Sequence, residues 1–400
     1  MNIVIIANFP NRLDGRRAKG RFMYLGEMLC KRGHQVELIV SDFDHGNSIH
    51  REPNTINQDA YKTRITLLHE PGYSKRISFQ RLRSHYVWGK NVGKYLNTIK
   101  KPDVVYCAIP SMTVGVEAGK YCTHNNVRYI IDVQDLWPEG FMFSTRSKLL
   151  QKLILSTKCY IDKAYAAADA IVGVSETYVN RALKVNHKNP ECLSVYLGND
   201  GELFDKARES EHVDFRDGFL RIAYIGSMGY SYDIPCFLKA LRKYKDAGCE
   251  PKIKFLCMGG GPLKDKFENI SSELEVDCEF TGNLPYEQMV GIMCSCDMLA
   301  NPIVHGAQQS ITNKIGDYAL SGLPVINTQE NAEYRRLVEK YNVGINCRCE
   351  NEEDVFEALK KLASDELLRK EMGHNMRKFG LEFFDRQNSY MNIVNLIENK

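Results

Sequence analysis

A polar loop that runs into a short helix holds the residues of this chain best suited to chemistry. Asn313 and Asp317 are four residues apart, so on a helix they share one face, and Lys314 lies beside them. A carboxylate there can accept hydrogen bonds from two vicinal ribose hydroxyls, while the Lys314 ammonium and the amides of residues 310–313 face a diphosphate. The pattern predicts a nucleotide-sugar site; the alternative is a solvated surface pair of Lys314 and Asp317.

The flanking sequence predicts the elements that would position these residues. An apolar stretch ends at Ala300, Ser310 or Thr312 can cap the helix, and Gly322 can end it before a new strand at residues 323–326. In α/β proteins, anions bind where a loop at the carboxyl end of a strand enters a helix. We therefore expect an α/β domain around this loop.

The same order of elements opens the chain. Residues 2–7 predict a strand, a helix through Lys31 follows a glycine-containing loop, and residues 35–40 predict a second strand. Such a βαβ unit implies parallel strands. The loop lacks the Gly-x-Gly-x-x-Gly fingerprint of dinucleotide sites. Gly20, at the helix entrance, either lets a ligand approach the backbone or serves as a plain turn glycine.

The strand and helix pattern restarts at residue 220, after a turn-rich, charged stretch that begins near residue 195. A chain of 400 residues is expected to form two or three domains. We predict an α/β fold with two Rossmann-like domains and a ligand between them. The predicted divisions are an N-terminal domain over residues 1–198, a C-terminal domain over residues 199–380, and a helix over residues 381–400 that packs back towards the N-terminal domain.

Composition excludes several classes of protein. With 44% hydrophobic and 26% charged residues the chain is globular, and a net charge of only +3 gives no support for nucleic-acid binding. The 13 cysteines show no paired Cys-x-x-Cys spacing, so a zinc site is not expected and a reducing cytosol fits best. The sequence starts directly with a strand and has no long apolar run, so we expect neither a signal peptide nor a membrane-spanning helix.

One segment differs sharply in charge from the rest. Residues 71–102 contain no Asp or Glu, and their basic residues alternate with aromatic ones. This mixture suits the surface of an anionic membrane; the alternative is a solvated basic face. Gly89 and Gly93 are expected to weaken any continuous helix there. The residues predicted to contact the membrane are Arg76, Arg81, Arg83 and Trp88.

Acidic residues follow another predicted strand. The apolar run that begins at Val127 ends with Asp132, Asp135 and Trp137. Polar groups at the carboxyl end of a strand are site candidates in an open α/β sheet. Asp135 could instead cap the turn before Pro138.

Several glycine-rich motifs recur in a fixed order in the second half of the chain. They are residues 224–229, 258–262, 280–285, 296–297, 313–318 and 322–326. In this order and spacing they resemble the donor domain of a family 4 glycosyltransferase, whose GT-B architecture has two Rossmann-like domains facing across a cleft. Residues 132–139 are similar to an acceptor-domain motif of members that build bacterial surface polysaccharides, so the resemblance covers nearly the whole chain.

The resemblance implies roles for individual residues. Asp317 corresponds to the second acid of the family's Glu-x7-Glu motif, which binds the ribose, and Gln309 stands at the first position. The Arg and Lys that many members carry after the first strand of this domain are absent here, so Lys314 and helix N-termini are expected to bind the diphosphate, with Lys19 and Arg21 as further candidates. The catalytic candidates are Asp132, Asp135 and Gln309. The donor-binding candidates are Gly20, Gly226, Ser227, Gly229, Gly260, Thr281, Gly282, Asn283, Ser310, Ile311, Thr312, Asn313, Lys314 and Asp317.

The implied activity is transfer of a sugar from a nucleotide-sugar to a polyprenyl-linked saccharide. The transfer would retain the anomeric configuration of the sugar and would need no metal or cofactor. It would take place in the cytoplasm, at the inner face of the cytoplasmic membrane, in surface polysaccharide biosynthesis. One alternative is a nucleotide-sugar epimerase of similar architecture. Another is a non-catalytic nucleotide-sugar-binding subunit, which Gln309 and the missing basic pair would suit. A dehydrogenase is the least expected, because neither half carries a dinucleotide fingerprint.

Overall fold

The computed structural model describes residues 1–9, 13, 15, 19–52, 56–75, 78–140, 147–307 and 311–399. The chain divides into two compact units. Unit 1 comprises residues 1–196 and the segment from Tyr390 onwards, and unit 2 comprises residues 197–389. The segment that joins unit 1 therefore starts at Tyr390, and residues 381–389 belong to unit 2.

Unit 1 is built on a parallel sheet. Its strands are β1 (Asn2–Ala7), β2 (Gln35–Ser41), β3 (Phe43–Asp44), β4 (Ile49–His50), β5 (Arg64–Leu68), β6 (Val104–Ile109), β7 (Arg128–Val133), β8 (Ala170–Gly173) and β9 (Glu191–Ser194). Seven of them pair in the order β5-β2-β1-β6-β7-β8-β9, and β3 and β4 form a separate antiparallel hairpin. The central strands β1 and β6 are almost entirely apolar because helices cover both faces of the sheet.

Those helices are α1 (Arg21–Lys31), α2 (Phe79–Leu96), α3 (Met112–Asn125), α4 (Lys148–Ser156), α5 (Lys158–Ala167) and α6 (Glu176–Leu183). Helices α2, α3 and α5 pack on one face of the sheet, where Trp88 and Tyr129 are fully buried. Helix α1 packs on the other face through Phe22, Leu25 and Leu29, as its spacing predicts. The side chains on the two faces of β1 thus lie in two different hydrophobic cores, one on each side of the sheet.

Unit 2 repeats the plan with six parallel strands. They are β10 (Leu220–Ile225), β11 (Ile253–Met258), β12 (Cys278–Gly282), β13 (Met298–Asn301), β14 (Val325–Asn327) and β15 (Gly344–Asn346), and they pair in the order β12-β11-β10-β13-β14-β15. The helices are α7 (Gly201–Ser210), α8 (Ile234–Asp246), α9 (Lys264–Glu273), α10 (Tyr286–Cys294), α11 (Asn313–Ser321), α12 (Ala332–Lys340), α13 (Glu352–Ser364), α14 (Glu366–Phe383) and α15 (Arg386–Ser389).

The last helix, α16 (Met391–Glu398), belongs to unit 1. Its residues Ile393, Val394, Leu396 and Ile397 are at most 1% exposed and lie in the same core as α1. The chain therefore leaves unit 1 at residue 196, forms all of unit 2, and returns to finish the first core.

Strand order places the same kind of crevice in both units. In each sheet the first strand, β1 or β10, lies between a strand that follows it closely in sequence and one that comes much later. This is the topological switch point of a Rossmann-like sheet, and ligands bind there at the carboxyl ends of the strands. Asn8 follows β1 at this point, and Gly226 follows β10.

One sequence expectation about a helix is wrong. Helix α2 runs without interruption through Gly89 and Gly93. A Cβ at Gly89 would lie 2.7 Å from Thr113 Cγ2 and 2.8 Å from the Val114 nitrogen, so Gly89 permits the close packing of α2 on α3. Residues 148–167 form two helices, α4 and α5, which are divided at Thr157.

Candidate functional site

Three glycine loops at the carboxyl edge of the unit 2 sheet are hydrogen-bonded to one another. The Gly226 amide donates to the Met258 carbonyl at 2.9 Å, and the Gly259 amide donates to the Gly282 carbonyl at 2.8 Å. These bonds join the loops after β10, β11 and β12. The structure thereby brings the predicted donor residues of these loops to one edge; they are Gly226, Ser227, Gly229, Gly260, Thr281, Gly282 and Asn283.

Gly259 shows why these loops need glycine. Its φ is +139°, and a Cβ there would lie 2.0 Å from the Gly226 carbonyl oxygen. Only a residue without a side chain allows the two backbones to approach so closely. The loops therefore present main-chain groups to the crevice.

Lys314 lies in the first turn of α11 and reaches under the first of these loops. Its Nζ lies 4.9 Å from the ring centre of Tyr224 and 4.4 Å from that of Tyr232. The Nζ atom is buried, and within the described part of the chain no hydrogen bond reaches it. Burial lowers the pKa of Lys314 to about 7. A buried ammonium without an anion is unfavourable, and a diphosphate would relieve the cost.

Asp317 lies one turn further along α11. Its Oδ1 accepts hydrogen bonds from Asn199 Nδ2 at 2.6 Å and from the Tyr286 hydroxyl at 2.8 Å. Burial raises the pKa of this carboxyl to about 7, although the Tyr286 hydrogen bond acts in the opposite direction. Because both charged groups are withdrawn from water, the alternative of a solvated surface pair of Lys314 and Asp317 is wrong.

The remaining predicted residues of the α11 loop divide into three kinds. Ile311 is 1% exposed and belongs to the core, whereas Asn313 is exposed. Thr312 is the N-cap, and in the described structure its side chain accepts no capping hydrogen bond. The amide groups at a helix N-terminus lack partners within the helix and favour anions. Gln309 and Ser310 lie outside the described residues.

In unit 1, the predicted catalytic residue Asp132 is a structural group. It is fully buried, and its Oδ2 accepts hydrogen bonds from Arg21 Nε at 2.7 Å and from the Tyr106 hydroxyl at 2.8 Å. Arg21 also donates to the carbonyl oxygens of Val195 and Tyr196. Burial alone would lower the pKa of Arg21, but the Asp132 carboxylate beside it raises that pKa above its ordinary value. The prediction that Asp132 is a catalytic residue is therefore wrong, and so is the prediction that Arg21 binds the diphosphate.

Asp135 remains a candidate for catalysis. It is exposed, and its carboxylate accepts hydrogen bonds from Trp137 Nε1 at 3.1 Å and from the Leu136 amide at 2.9 Å. Crowding by neighbouring side chains removes water from the carboxylate and raises its pKa, which these hydrogen bonds partly offset. A carboxylate with a raised pKa at the carboxyl edge of a sheet is suited to accept a proton.

Sequence reasoning missed a polar group beside Asp135. We name it the edge cluster; it consists of Asn8, His45, Glu70, Arg81 and His85. Glu70 is fully buried and lies 3.2 Å from His85 Nδ1 and 3.3 Å from His45 Nε2. Burial alone would raise the pKa of Glu70, but the two imidazoles hold it well below its usual value.

Asn8 and Arg81 complete the edge cluster. Asn8 Nδ2 lies 2.8 Å from His85 Nδ1, and Arg81 Nε donates to His85 Nε2 at 3.2 Å. The Arg81 guanidinium also lies 4.7 Å from the ring centre of Trp137. The signal that could have revealed the cluster is positional, because Asn8 directly follows β1 and Glu70 lies two residues after the end of β5, both at the carboxyl edge of the sheet.

Not all of the residues predicted to contact a membrane are exposed. Trp88 is fully buried between α2 and the sheet, so its prediction as a membrane contact is wrong. Arg81 is half-buried in the edge cluster, Arg83 is exposed, and Arg76 lies outside the described residues. Gly20 is the N-cap of α1 in unit 1. No helix in the described ranges is both long and apolar enough to cross a bilayer.

Similarity to known proteins covers both units. Over 240 residues the chain is 24% identical to an uncharacterized glycosyltransferase, MJ1178, of Methanocaldococcus jannaschii, and the match spans 59% of this chain but only 61% of that protein. The structure resembles HepE of Anabaena in complex with UDP, with a TM-score of 0.69, 12% identity and 99% of each chain covered. It also resembles WaaG, a glycosyltransferase involved in lipopolysaccharide biosynthesis, with a TM-score of 0.63, 14% identity and 100% of each chain covered.

These likenesses, at low identity, establish the fold: two parallel sheets in one α/β chain, as in GT-B glycosyltransferases. Residues 220–365 match the sequence model of the family described as Glycosyl transferases group 1. This range contains the three glycine loops, Lys314 and Asp317. The second unit of the chain therefore contains a region similar to the group 1 glycosyl transferases.

Proposed function

We propose that the protein transfers a sugar from a nucleoside-diphosphate sugar to a saccharide acceptor. The observation that carries the proposal is the Lys314 ammonium, which is buried beneath the Gly226 loop, contacts two tyrosine rings and has no hydrogen-bond partner among the described residues. Asp317, on the same helix, is held at Oδ1 by Asn199 and Tyr286. Together they offer a cation for a diphosphate and an oriented carboxylate for a ribose.

Lys314 and the N-terminus of α11 would act on the leaving group. As the bond from the sugar to the diphosphate breaks, negative charge develops on the diphosphate oxygens and positive charge on the sugar ring. The Lys314 ammonium and the amides of the first helical turn stabilise the departing diphosphate. This arrangement supports a reaction in which protein groups meet the charge, and we infer a metal-independent, retaining transfer.

Unit 1 would bind the acceptor. Its carboxyl edge presents the Asp135 carboxylate next to the Trp137 indole, with Arg81 and His85 close by. Asp135 would accept the proton of the attacking hydroxyl, because its raised pKa brings it closer to that of a working general base. Likeness to a protein involved in lipopolysaccharide biosynthesis supports a lipid-linked saccharide acceptor in surface polysaccharide biosynthesis.

An exposed apolar side of α2 would suit a protein that acts on a lipid-linked acceptor. Phe79 is 90% exposed, and Leu82 and Tyr86 are each 52% exposed, three or four residues apart on one face. Arg83 lies among them. Exposed apolar side chains beside a cation suit the interface of an anionic membrane, and we infer peripheral attachment of a cytoplasmic protein through this face.

The test of the donor site is a thermal-shift screen of the protein against UDP-, GDP-, TDP- and CMP-sugars, with the Lys314→Met variant in parallel. A ligand at a hundred times its dissociation constant adds about 2.7 kcal/mol of stability. We expect one class of nucleotide-sugar to raise the melting temperature of the wild type and not that of the variant. An equal shift in both proteins would remove Lys314 from the site.

Turnover separates the proposed function from its alternatives. A transferase consumes the nucleotide-sugar rapidly only when a saccharide acceptor is present. An epimerase would convert the free nucleotide-sugar without an acceptor, and a binding subunit would show a thermal shift with neither reaction. Product analysis by mass spectrometry and NMR distinguishes the three, and NMR of the new glycosidic bond reports retention directly.

A further inference from the structure

Three side chains that commonly bind metals meet beside the edge strand of the unit 1 sheet. Asp42 lies between β2 and β3, His50 ends β4, and His69 follows β5. One ligand atom from each lies within 4.8 Å of the other two. We call these residues the Asp-His-His group.

The distances within this group are close to those that a metal ion requires. Asp42 Oδ2 lies 2.9 Å from His69 Nδ1, and Asp42 Oδ1 lies 3.5 Å from His50 Nδ1. Zinc binds imidazole nitrogen and carboxylate oxygen at about 2.0–2.2 Å, which separates tetrahedral ligands by about 3.3 Å. The two imidazole rings are stacked at 14°, with their centres 5.6 Å apart. Small side-chain movements would bring all three ligand atoms onto one ion.

The group is also open to an ion from solvent. The side chains of Asp42, His50 and His69 are 22%, 47% and 63% exposed. In addition, Asp42 Oδ1 accepts a hydrogen bond from the Glu70 amide at 2.7 Å, which fixes the carboxylate towards the histidines. A ligating carboxylate that is itself held by a hydrogen bond is typical of metal sites.

We propose that the Asp-His-His group binds a divalent transition-metal ion of the zinc type, with water completing the coordination. Two imidazole nitrogens and one carboxylate oxygen suit Zn²⁺, Ni²⁺ or Cu²⁺ rather than Mg²⁺ or Ca²⁺, which prefer oxygen ligands. The proposal goes beyond sugar transfer: it assigns the ion no step in that reaction and stands whether or not the protein is a transferase.

The bound ion would join three separate segments. It would tie the β3–β4 hairpin, through His50, to the ends of β2 and β5, through Asp42 and His69. The connection within this hairpin carries His45, and Glu70 follows His69; both belong to the edge cluster. An ion at this place would therefore restrain the backbone on which two edge-cluster residues lie.

The experiment is a Co²⁺ and Zn²⁺ titration of the full-length protein, first stripped with a chelator and kept reduced. We expect one ion per chain, a rise in melting temperature with metal, and a Co²⁺ spectrum without the near-ultraviolet absorption of a cobalt–thiolate bond. That absorption matters because the 13 cysteines are all free. The His50→Gln and His69→Gln variants should each bind the metal about tenfold more weakly or worse.

Matched controls are His124→Gln and His187→Gln, which remove exposed histidines elsewhere in unit 1. Both should bind the metal like the wild type. The melting temperatures of all four variants without metal report whether they fold. The proposal would be overturned by the absence of saturable binding or by a cobalt–thiolate spectrum. It would also be overturned if the His50→Gln and His69→Gln variants bound the metal as tightly as the wild type.

Discussion

Asn199 and Asp317, 118 residues apart in sequence, are joined by a 2.6 Å hydrogen bond from Nδ2 to Oδ1. The Tyr286 hydroxyl donates to the same oxygen. In the described structure no hydrogen bond reaches Oδ2. The carboxylate is thus oriented through one oxygen, and under the proposed function the other would accept hydrogen bonds from the ribose.

The first prediction concerns this oxygen. Asp317→Ala should weaken binding of the responding nucleotide-sugar by about 1.5–3 kcal/mol, because hydrogen bonds to a charged group are lost. Isothermal titration calorimetry measures the change. Asp246→Ala, which removes an exposed aspartate from α8 in the same unit, is the control and should bind normally. Unaltered affinity in a folded Asp317→Ala protein would exclude the ribose contact.

The second prediction concerns proton uptake. In the free protein the pKa of Lys314 is lowered to about 7, so at pH 8 the side chain is mostly neutral. A bound diphosphate favours the ammonium, so binding at pH 8 should take up close to one proton, and affinity should fall as the pH rises above 7. Asp317, with a pKa of about 7, is already mostly ionised at pH 8 and contributes little.

Calorimetry of nucleotide binding in two buffers with different ionisation enthalpies measures this uptake. Lys314→Arg is the matched control, because arginine stays charged and should bind the diphosphate without taking up a proton. Equal uptake by the wild type and Lys314→Arg would show that the proton belongs to another group.

The third prediction concerns stability and pH. Burial raises the pKa of Asp317 from 3.8 to about 7 in the folded protein, so between these values the folded state holds a proton that the unfolded state has lost. This contribution is complete below pH 4 and disappears as the pH rises through 7. Asp317→Asn should therefore lose less stability than the wild type between pH 4.5 and pH 8.

Urea unfolding at both pH values, without nucleotide, measures the two stabilities. Asparagine keeps an oxygen that can accept from Asn199 and Tyr286, so the variant isolates the charge. A difference between variant and wild type that stays constant over this range would contradict the raised pKa.

The fourth prediction concerns the contact between two glycine loops. Gly259→Ala combines a positive φ with a Cβ placed 2.0 Å from the Gly226 carbonyl, and should destabilise unit 2 strongly and abolish nucleotide binding. Gly248→Ala is the control: its φ is +62° but nothing lies within 4 Å of its Cβ, so it should cost only the left-handed strain of about 1–2 kcal/mol. Similar unfolding curves for the two variants would argue against the close approach.

The fifth prediction concerns the exposed face of α2. Replacing Phe79 and Leu82 with Ser and Arg83 with Glu should greatly reduce sedimentation with anionic vesicles, because the exposed apolar and basic groups are removed. Leu367→Ser removes a leucine that is 81% exposed in unit 2 and serves as the control. Undiminished sedimentation of the triple variant would exclude this face as the attachment site.

Much of the fold was predictable because its signals are local. The predicted strand at residues 2–7 is confirmed, and so is the order of strand, loop, helix and strand around α11. Gly322 ends α11 with a φ of +74°, as expected of a left-handed cap. Apolar runs, turn glycines and helix caps can each be read from a few adjacent residues.

The errors come from contacts between residues distant in sequence. Nothing near Asp132 shows that Arg21 and Tyr106 bury and pair it, 111 and 26 residues away. In the sequence, Trp88 stands in a basic segment and suggests a membrane anchor. In the folded protein it packs against α3 and the sheet, and its neighbours in sequence do not indicate this contact. The edge cluster was missed for the same reason, since its members come from four separate segments.

The return of α16 to unit 1 bears on how the chain folds during synthesis. Residues 197–389 are synthesised as one continuous stretch between the two parts of unit 1. Unit 1 must wait for Ile393 and Ile397, although its first 196 residues were made earlier. Until then an apolar face beside α1 stays uncovered, and it is this face that a nascent-chain chaperone would protect.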